Sequence, residues 1–149
     1  MNKVCLLILI LTIFWLSGCK NSNENSYDLD IKEFKTGISV NLRGLSMVSG
    51  KVAWAAGQRG IYLVTTDGGE HWKTDSVPGA ETLDFRSVWA FNRDTVILIS
   101  AGTPARIYKT SDGGTNWKIT FSSDNPSIFL NAIGFWNQMK GIVMGDPYD

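Results

Sequence analysis

Two carboxylates recur in the same setting. Asp67 lies in "TTDGGEHW", Thr65 to Trp72, and Asp112 lies in "TSDGGTNW", Thr110 to Trp117, forty-five positions later. The first copy adds His71, the one histidine of the chain. Carboxyl groups with an imidazole suit general acid–base work, and a glycosidase needs two suitably spaced carboxyls. A second set is cationic: Arg43, Arg59, Arg86 and Arg106 stand at like places in two successive stretches. Planar guanidinium groups grip carboxylates and phosphates through paired hydrogen bonds. The repeated phrase is either a site or a fastener.

Its pattern is Ser/Thr-x-Asp-x-Gly-x-x-Trp: Thr65, Asp67, Gly69 and Trp72, then Thr110, Asp112, Gly114 and Trp117. Short Thr and Asp side chains accept hydrogen bonds from the amides of a turn and lock its shape. Glycine takes positive φ without a Cβ penalty, and tryptophan buries a large apolar face. A repeat needs such a clamp each time, whereas a catalytic pair is seldom needed once per repeat. The phrase is therefore expected to be structural, with Asp67 and Asp112 occupied in their turns. No other carboxylate pair stands out. His71 stands where the second copy has Asn116 and reads as a surface strand residue rather than a base. "DGG" and "GGT" lack the strand–helix context of a phosphate loop. No metal-ligand cluster or dinucleotide fingerprint appears, so no catalytic residue, metal or cofactor is expected.

The elements that position these residues come from aligning the copies. "LRGLSMVSGKVAWAAGQRGIYLVTTDGGEHWK" from Leu42 lies over "FRSVWAFNRDTVILISAGTPARIYKTSDGGTNWK" from Phe85, and a third copy opens at Leu130. A period of about 45 residues, read as short strands broken by turns, is the size of a four-stranded propeller blade. The fold class is all-β, a propeller of which about two and a half blades are present, at 42–82, 83–127 and 128–149. In the first copy the strands are expected at Gly44 to Val48, Val52 to Ala56, Ile61 to Thr65 and His71 to Asp75. Strands of such a blade alternate in direction. Arg43 and Arg86 before the first strand, and Arg59 and Arg106 before the third, then share the end opposite the repeated turns. Asp146, at the third copy's equivalent turn, belongs with them. Trp54, Trp89 and Trp136 are expected to pack between blades rather than to form a ledge for sugars.

Fourteen basic and fourteen acidic residues cancel, so no long-range field favours nucleic acid. The chain opens with Lys3 and an apolar run from Val4 to Leu16, too short to span a hydrocarbon core, which takes roughly 20 residues. It reads as a secretory signal, 1–18. "LSGC" resembles a lipoprotein box, in which Cys19 carries acyl chains such as palmitate after cleavage just before it. Two acyl chains give stable membrane attachment. Residues 19–32 read as the lipidated cysteine and a polar tether, and 33–149 as the partial propeller. Cys5 leaves with the signal, so the mature protein has no free thiol. Lys20 after the cysteine favours the outer membrane of a bacterial envelope.

The repeated phrase resembles the Asp-box, or bacterial neuraminidase repeat, of sialidases and sortilin-type receptors. From about Phe34 to Asp149 the chain is similar to propellers related to the photosystem II assembly and stability factor. Bacterial members of that group occur as secreted proteins or lipoproteins. The resemblance implies Asp-box blades and an arginine-bearing face that holds a client protein. The expected function is a membrane-tethered, non-enzymatic scaffold for a protein client or other ligand, a glycan included. The alternative is a sialidase-like hydrolase with catalytic residues in further blades; here the "RIP" phrase and the tyrosine–glutamate pair of such enzymes are missing. Propellers close with four to eight blades, so the sequence reads as the amino-terminal part of a longer protein. "EFKTGISVN", Glu33 to Asn41, stands where the outer strand of another blade would lie.

Overall fold

The structure, a computed structural model, describes residues 29–147. The expected signal, Cys19 and most of the tether lie outside the described residues. The chain divides into two units, Met1–Glu33 and Phe34–Asp149. Of the first, residues 29–33 carry no helix or strand.

The second unit is all strand. β1 (Leu42–Met47), β2 (Ala53–Gly57), β3 (Ile61–Thr65) and β4 (Lys73–Ser76) form an antiparallel sheet in chain order. β5 (Asp84–Ala90), β6 (Val96–Ala101), β7 (Ala105–Thr110) and β8 (Lys118–Ser123) form a second sheet of the same order. β9 (Leu130–Asn137) and β10 (Lys140–Gly145) pair as the start of a third. These are two propeller blades and the first two strands of another.

Residue choice follows position in the blade. β6, "VILISA", is buried along nearly its whole length because both of its faces are covered. The outer strands β4, "KTDS", and β8, "KITFSS", are largely exposed. Each turn between a first and second strand is set by one short side chain. Ser49 Oγ accepts from the amides of Lys51 and Val52, Asn92 Oδ1 from Asp94 and Thr95, and Asn137 Oδ1 from Met139 and Lys140. Such bonds pin a turn without help from the rest of the fold.

The core lies between the first two blades. Trp54 and Tyr62 meet Phe85, Val88, Leu98 and Tyr108, with Val77, Ala80 and Leu83 of the connecting segment closing the side. At the next junction Phe135 meets Phe91 at 4.8 Å and Trp89 at 5.9 Å between ring centroids.

Four expectations need correction. The first strand of each blade starts earlier than the alternation suggests, at Leu42 and at Asp84, so Arg43 and Arg86 lie inside strands; Arg106 likewise lies inside β7. The cause is a β-bulge. Register breaks between Leu42 and Gly44, between Phe85 and Ser87, and between Leu130 and Ala132, leaving Arg43, Arg86 and Asn131 as the extra residues. β4 begins at Lys73 rather than His71, because the His71 amide bonds to Asp67 instead of to the ladder. His71 is thus a turn residue. Residues 33–41 carry no strand, having no neighbouring ladder among the described residues. Trp136 is 68% exposed and does not pack between blades, while Trp54 is 1% exposed.

Candidate functional site

The two repeated turns are built alike. Thr65 Oγ1 donates to Asp67 Oδ1 at 2.8 Å and accepts from the amides of Asp67 at 3.3 Å and Gly69 at 2.9 Å. Asp67 Oδ1 also accepts from the His71 amide at 3.0 Å, and Oδ2 lies 2.8 Å from His71 Nδ1. In the second turn Thr110 Oγ1 donates to Asp112 Oδ1 at 2.8 Å and accepts from Gly114 N at 3.0 Å. Asn116 supplies Asp112 with its amide at 2.9 Å and its side-chain Nδ2 at 2.8 Å. Asn116 therefore does for Asp112 what His71 does for Asp67.

Both carboxyls are held well below the usual carboxylate range. For Asp67 the first cause is the His71 amide, followed by the His71 ring and the Thr65 hydroxyl. For Asp112 it is the Asn116 amide, then the Asn116 side chain and Thr110. A carboxylate stabilised in this way is a poor proton donor near neutral pH. Gly68 (φ 83°) and Gly113 (φ 69°) donate their amides to Lys51 O and Asp94 O, tying each turn to the neighbouring one of its blade. Trp117 reaches across to the first blade, with ring centroids 5.3 Å from Tyr62 and 6.4 Å from Trp54. Trp72 is half-buried, beside Leu45 and Leu63 on the first blade's other face.

Alternation of strand direction puts Arg43, Arg59, Arg86, Arg106 and Asp146 at the opposite end of the blades. The bulges give Arg43 and Arg86 the same place in β1 and β5. There they meet different partners. Arg43 Nε contacts Asp84 Oδ2 at 2.8 Å and Oδ1 at 3.0 Å, an ion pair across the junction of the first two blades. Arg86 Cζ lies 5.2 Å from the Phe129 ring centroid, in cation–π range. Its buried Nε has no hydrogen-bond partner among the described residues. Arg106 Nη1 donates to Tyr108 Oη at 3.3 Å, and its Nε is also buried and unpartnered among them.

Arg59 is exposed and sits at φ 62° in the turn that joins β2 to β3. Ile61 N donates to Gln58 O across that turn, and Gly60 shares the positive φ. Asp146 N donates to Phe129 O at 3.0 Å, as Gln58 N donates to Asn41 O at 3.1 Å in the first blade. Asp146 and Gln58 thus hold equivalent places. Phe129 serves Arg86 through its ring and the Asp146 turn through its carbonyl. Among the described residues Arg43 is the one of the four neutralised by a carboxylate, and it belongs with Asp84 rather than with a free cationic ring.

Sequence reasoning missed Asp84, Tyr108 and Phe129. Asp84 carried a signal: it is the residue just before Phe85, where the first copy has Asn41. Among the described residues no group of three or more His, Cys, Asp or Glu is arranged to hold a metal ion.

No family model matches the chain. It is 31% identical over 105 residues to the Photosystem II assembly lipoprotein Ycf48 of Synechococcus sp. (strain CC9902), a match covering 68% of this chain and 28% of that protein. Over that stretch the chain is similar in sequence to the photosystem II assembly factors. The Photosystem II stability/assembly factor HCF136, chloroplastic, of Arabidopsis thaliana is 36% identical over 83 residues, 51% of this chain and 20% of that protein. The chain thus spans less than a third of the curated relatives it matches.

Two solved structures share the fold. YCF48 bound to D1 peptide superposes with a TM-score of 0.60 at 17% identity, over 70% of this chain and 34% of that one. YCF48 from Cyanidioschyzon merolae gives a TM-score of 0.57 at 19% identity, over 72% of this chain and 36% of that one.

Proposed function

We propose that this chain is a non-enzymatic propeller scaffold of assembly-factor type, which holds a protein client by the end bearing Arg59 and Arg86. The observation that carries the reading is the state of those two arginines. Neither has a carboxylate partner among the described residues, whereas Arg43 is already neutralised by Asp84. An unpaired guanidinium at a blade end gives up little on meeting an acidic side chain or a chain-terminal carboxylate, and forms paired hydrogen bonds with it. Support also comes from the solved relative that carries a D1 peptide. Asp67 and Asp112 are spent in turn clamps, which favours binding over hydrolysis.

The scaffold is tethered to the bacterial envelope, facing from its outer membrane, by acyl chains on Cys19. Replacing Cys19 with Ala should abolish palmitate incorporation and move the chain from the membrane to the soluble fraction. For the client, Arg59→Glu with Arg86→Glu in the full chain should abolish cross-linking and co-purification of the partner in a protein that still folds, although loss of the Arg86–Phe129 contact lowers its melting temperature. Unchanged capture by a folded double variant would sink the reading.

A further inference from the structure

At the end of the blades opposite Arg43, Arg59, Arg86 and Arg106, the first two blades part around a cleft of about 410 Å3. Small-molecule sites run from about 300 to 1,000 Å3. Its base is apolar: Trp54, Tyr62 and Val64. Its walls are polar and come from both blades. The first contributes Asp67, His71 and Lys73, and the second Arg93, Asp94 and Asp112.

Two of these groups stand apart. Arg93 and Asp94 are neighbours on the turn between β5 and β6. That turn is rigid, since Asn92 Oδ1 accepts from the amides of Asp94 at 2.8 Å and Thr95 at 2.7 Å, and Gly113 N donates to Asp94 O at 3.0 Å. The turn fixes the backbone but leaves the side chains out. Among the described residues neither the Arg93 guanidinium nor the Asp94 carboxylate has a partner. A fan of donors and a pair of acceptors are thus presented side by side at the mouth of one cleft. At the base Trp54 is 1% exposed, and its Nε1–H has no acceptor among the described residues.

Charge decides among ligand classes. Three carboxylates stand against Lys73 and Arg93, one carboxylate in excess, and Asp67 and Asp112 are already engaged in their turns, so the cleft has no strong charge of either sign to offer a ligand. A phosphate would meet the carboxylates, and a polycation would meet Lys73 and Arg93. An apolar ligand would cover Arg93 and Asp94 without bonding them, which is costly. A ligand dense in hydroxyls and without net charge satisfies both groups and lays its C–H face on the apolar base. We propose that this cleft binds a neutral saccharide. The site is separate from the arginine-bearing end and does not depend on the client-binding reading.

The test uses the full chain in a detergent free of sugar, titrated with chitobiose, maltose and lactose. Saturation-transfer NMR reports the sugar, and tryptophan emission reports Trp54 and Trp117. Saturable binding of at least one disaccharide is expected, weakened about tenfold or more by Arg93→Ala and by Asp94→Ala. Should either variant melt early, Lys73→Ala on the exposed strand β4 reads the same loss. Absence of saturable binding to all three sugars overturns the proposal. So does binding that the folded variants leave unchanged. Inorganic phosphate or a lysine dipeptide, binding in place of the sugars and lost in the same variants, would show that the cleft takes a charged ligand instead.

Discussion

The hydroxyl of Tyr62 donates to the carbonyl oxygen of Gly114 at 3.0 Å, joining an inner strand of one blade to the repeated turn of the next. The two residues are fitted closely: a Cβ on Gly114 would lie 2.6 Å from Tyr62 Oη, and Gly114 has φ +88°. Tyr62 also stacks on Trp54 at 5.3 Å and takes the edge of Trp117 at 5.3 Å. Burial pushes the Tyr62 phenol up, so it remains a donor across the ordinary pH range. The clamp therefore has two roles. Within its own turn Thr110 and Asp112 fix the backbone, and the backbone so fixed offers a carbonyl and an indole to the blade before it.

Two substitutions separate these roles. Tyr62→Phe deletes one interblade hydrogen bond and should cost about 1 kcal/mol. Gly114→Ala must strain a left-handed backbone and push Tyr62 aside, and should cost more, about 2–4 kcal/mol. Urea unfolding of both variants measures the order. Equal costs would mean that the turn and its neighbour are not coupled at Gly114.

The tryptophans differ with their places in the blades: Trp54 lies in β2, the second strand of the first blade, and Trp136 in β9, the first strand of the third. Trp54→Ala empties the blade junction and should cost about 3–5 kcal/mol. Trp136 is the extra residue of a bulge between Phe135 and Asn137 and is 68% exposed, so Trp136→Ala should stay within about 0.5 kcal/mol. Denaturation midpoints of the two variants compare them directly.

Much of this was legible in the sequence. The period of about 45 residues and the glycines of the "DGG" turns place the blades, because backbone ladders and positive φ leave a local trace in residue choice. The bulges leave none. Whether Arg43 is in register depends on how β1 pairs with β2, and hydropathy is silent on that. The partners of the arginines were hidden for a related reason. Arg43 meets Asp84 at a separation of 41 residues, and Arg86 meets Phe129 across a blade junction. Such contacts belong to the stacking of blades and not to any one repeat. Trp136 is likewise the extra residue of a bulge in β9, where simple alternation does not assign a face.

Acid should loosen both clamps. The bonds accepted by Asp67 and Asp112 hold their folded values below the ordinary carboxylate pKa, which is about 3.9 for an unfolded Asp. Their contribution is therefore fully present above that value and is lost as pH falls through the folded values. Thermal melts between about pH 5 and pH 2 should show a shallower decline for Asp67→Asn with Asp112→Asn than for the parent. Parallel declines would place the acid sensitivity elsewhere.

Arg59 offers the sharpest separation of stability from function. It is the one non-glycine residue with positive φ among the described residues, at 62°. A side chain with a Cβ pays about 1–2 kcal/mol for that conformation, and asparagine tolerates it better than most. The turn has no need of a guanidinium, since the fold of Gln58 to Ile61 is closed by backbone bonding. Arg59→Asn should therefore raise the stability of the chain by roughly 0.5–1 kcal/mol, read from urea unfolding. The same variant removes an unpaired cation from the proposed client-binding end, so capture of the client should weaken. A variant that is more stable and still captures its client in full would leave Arg59 as strain with no functional return. A variant that gains stability and loses capture would mean that the strain is held for the position it gives the guanidinium.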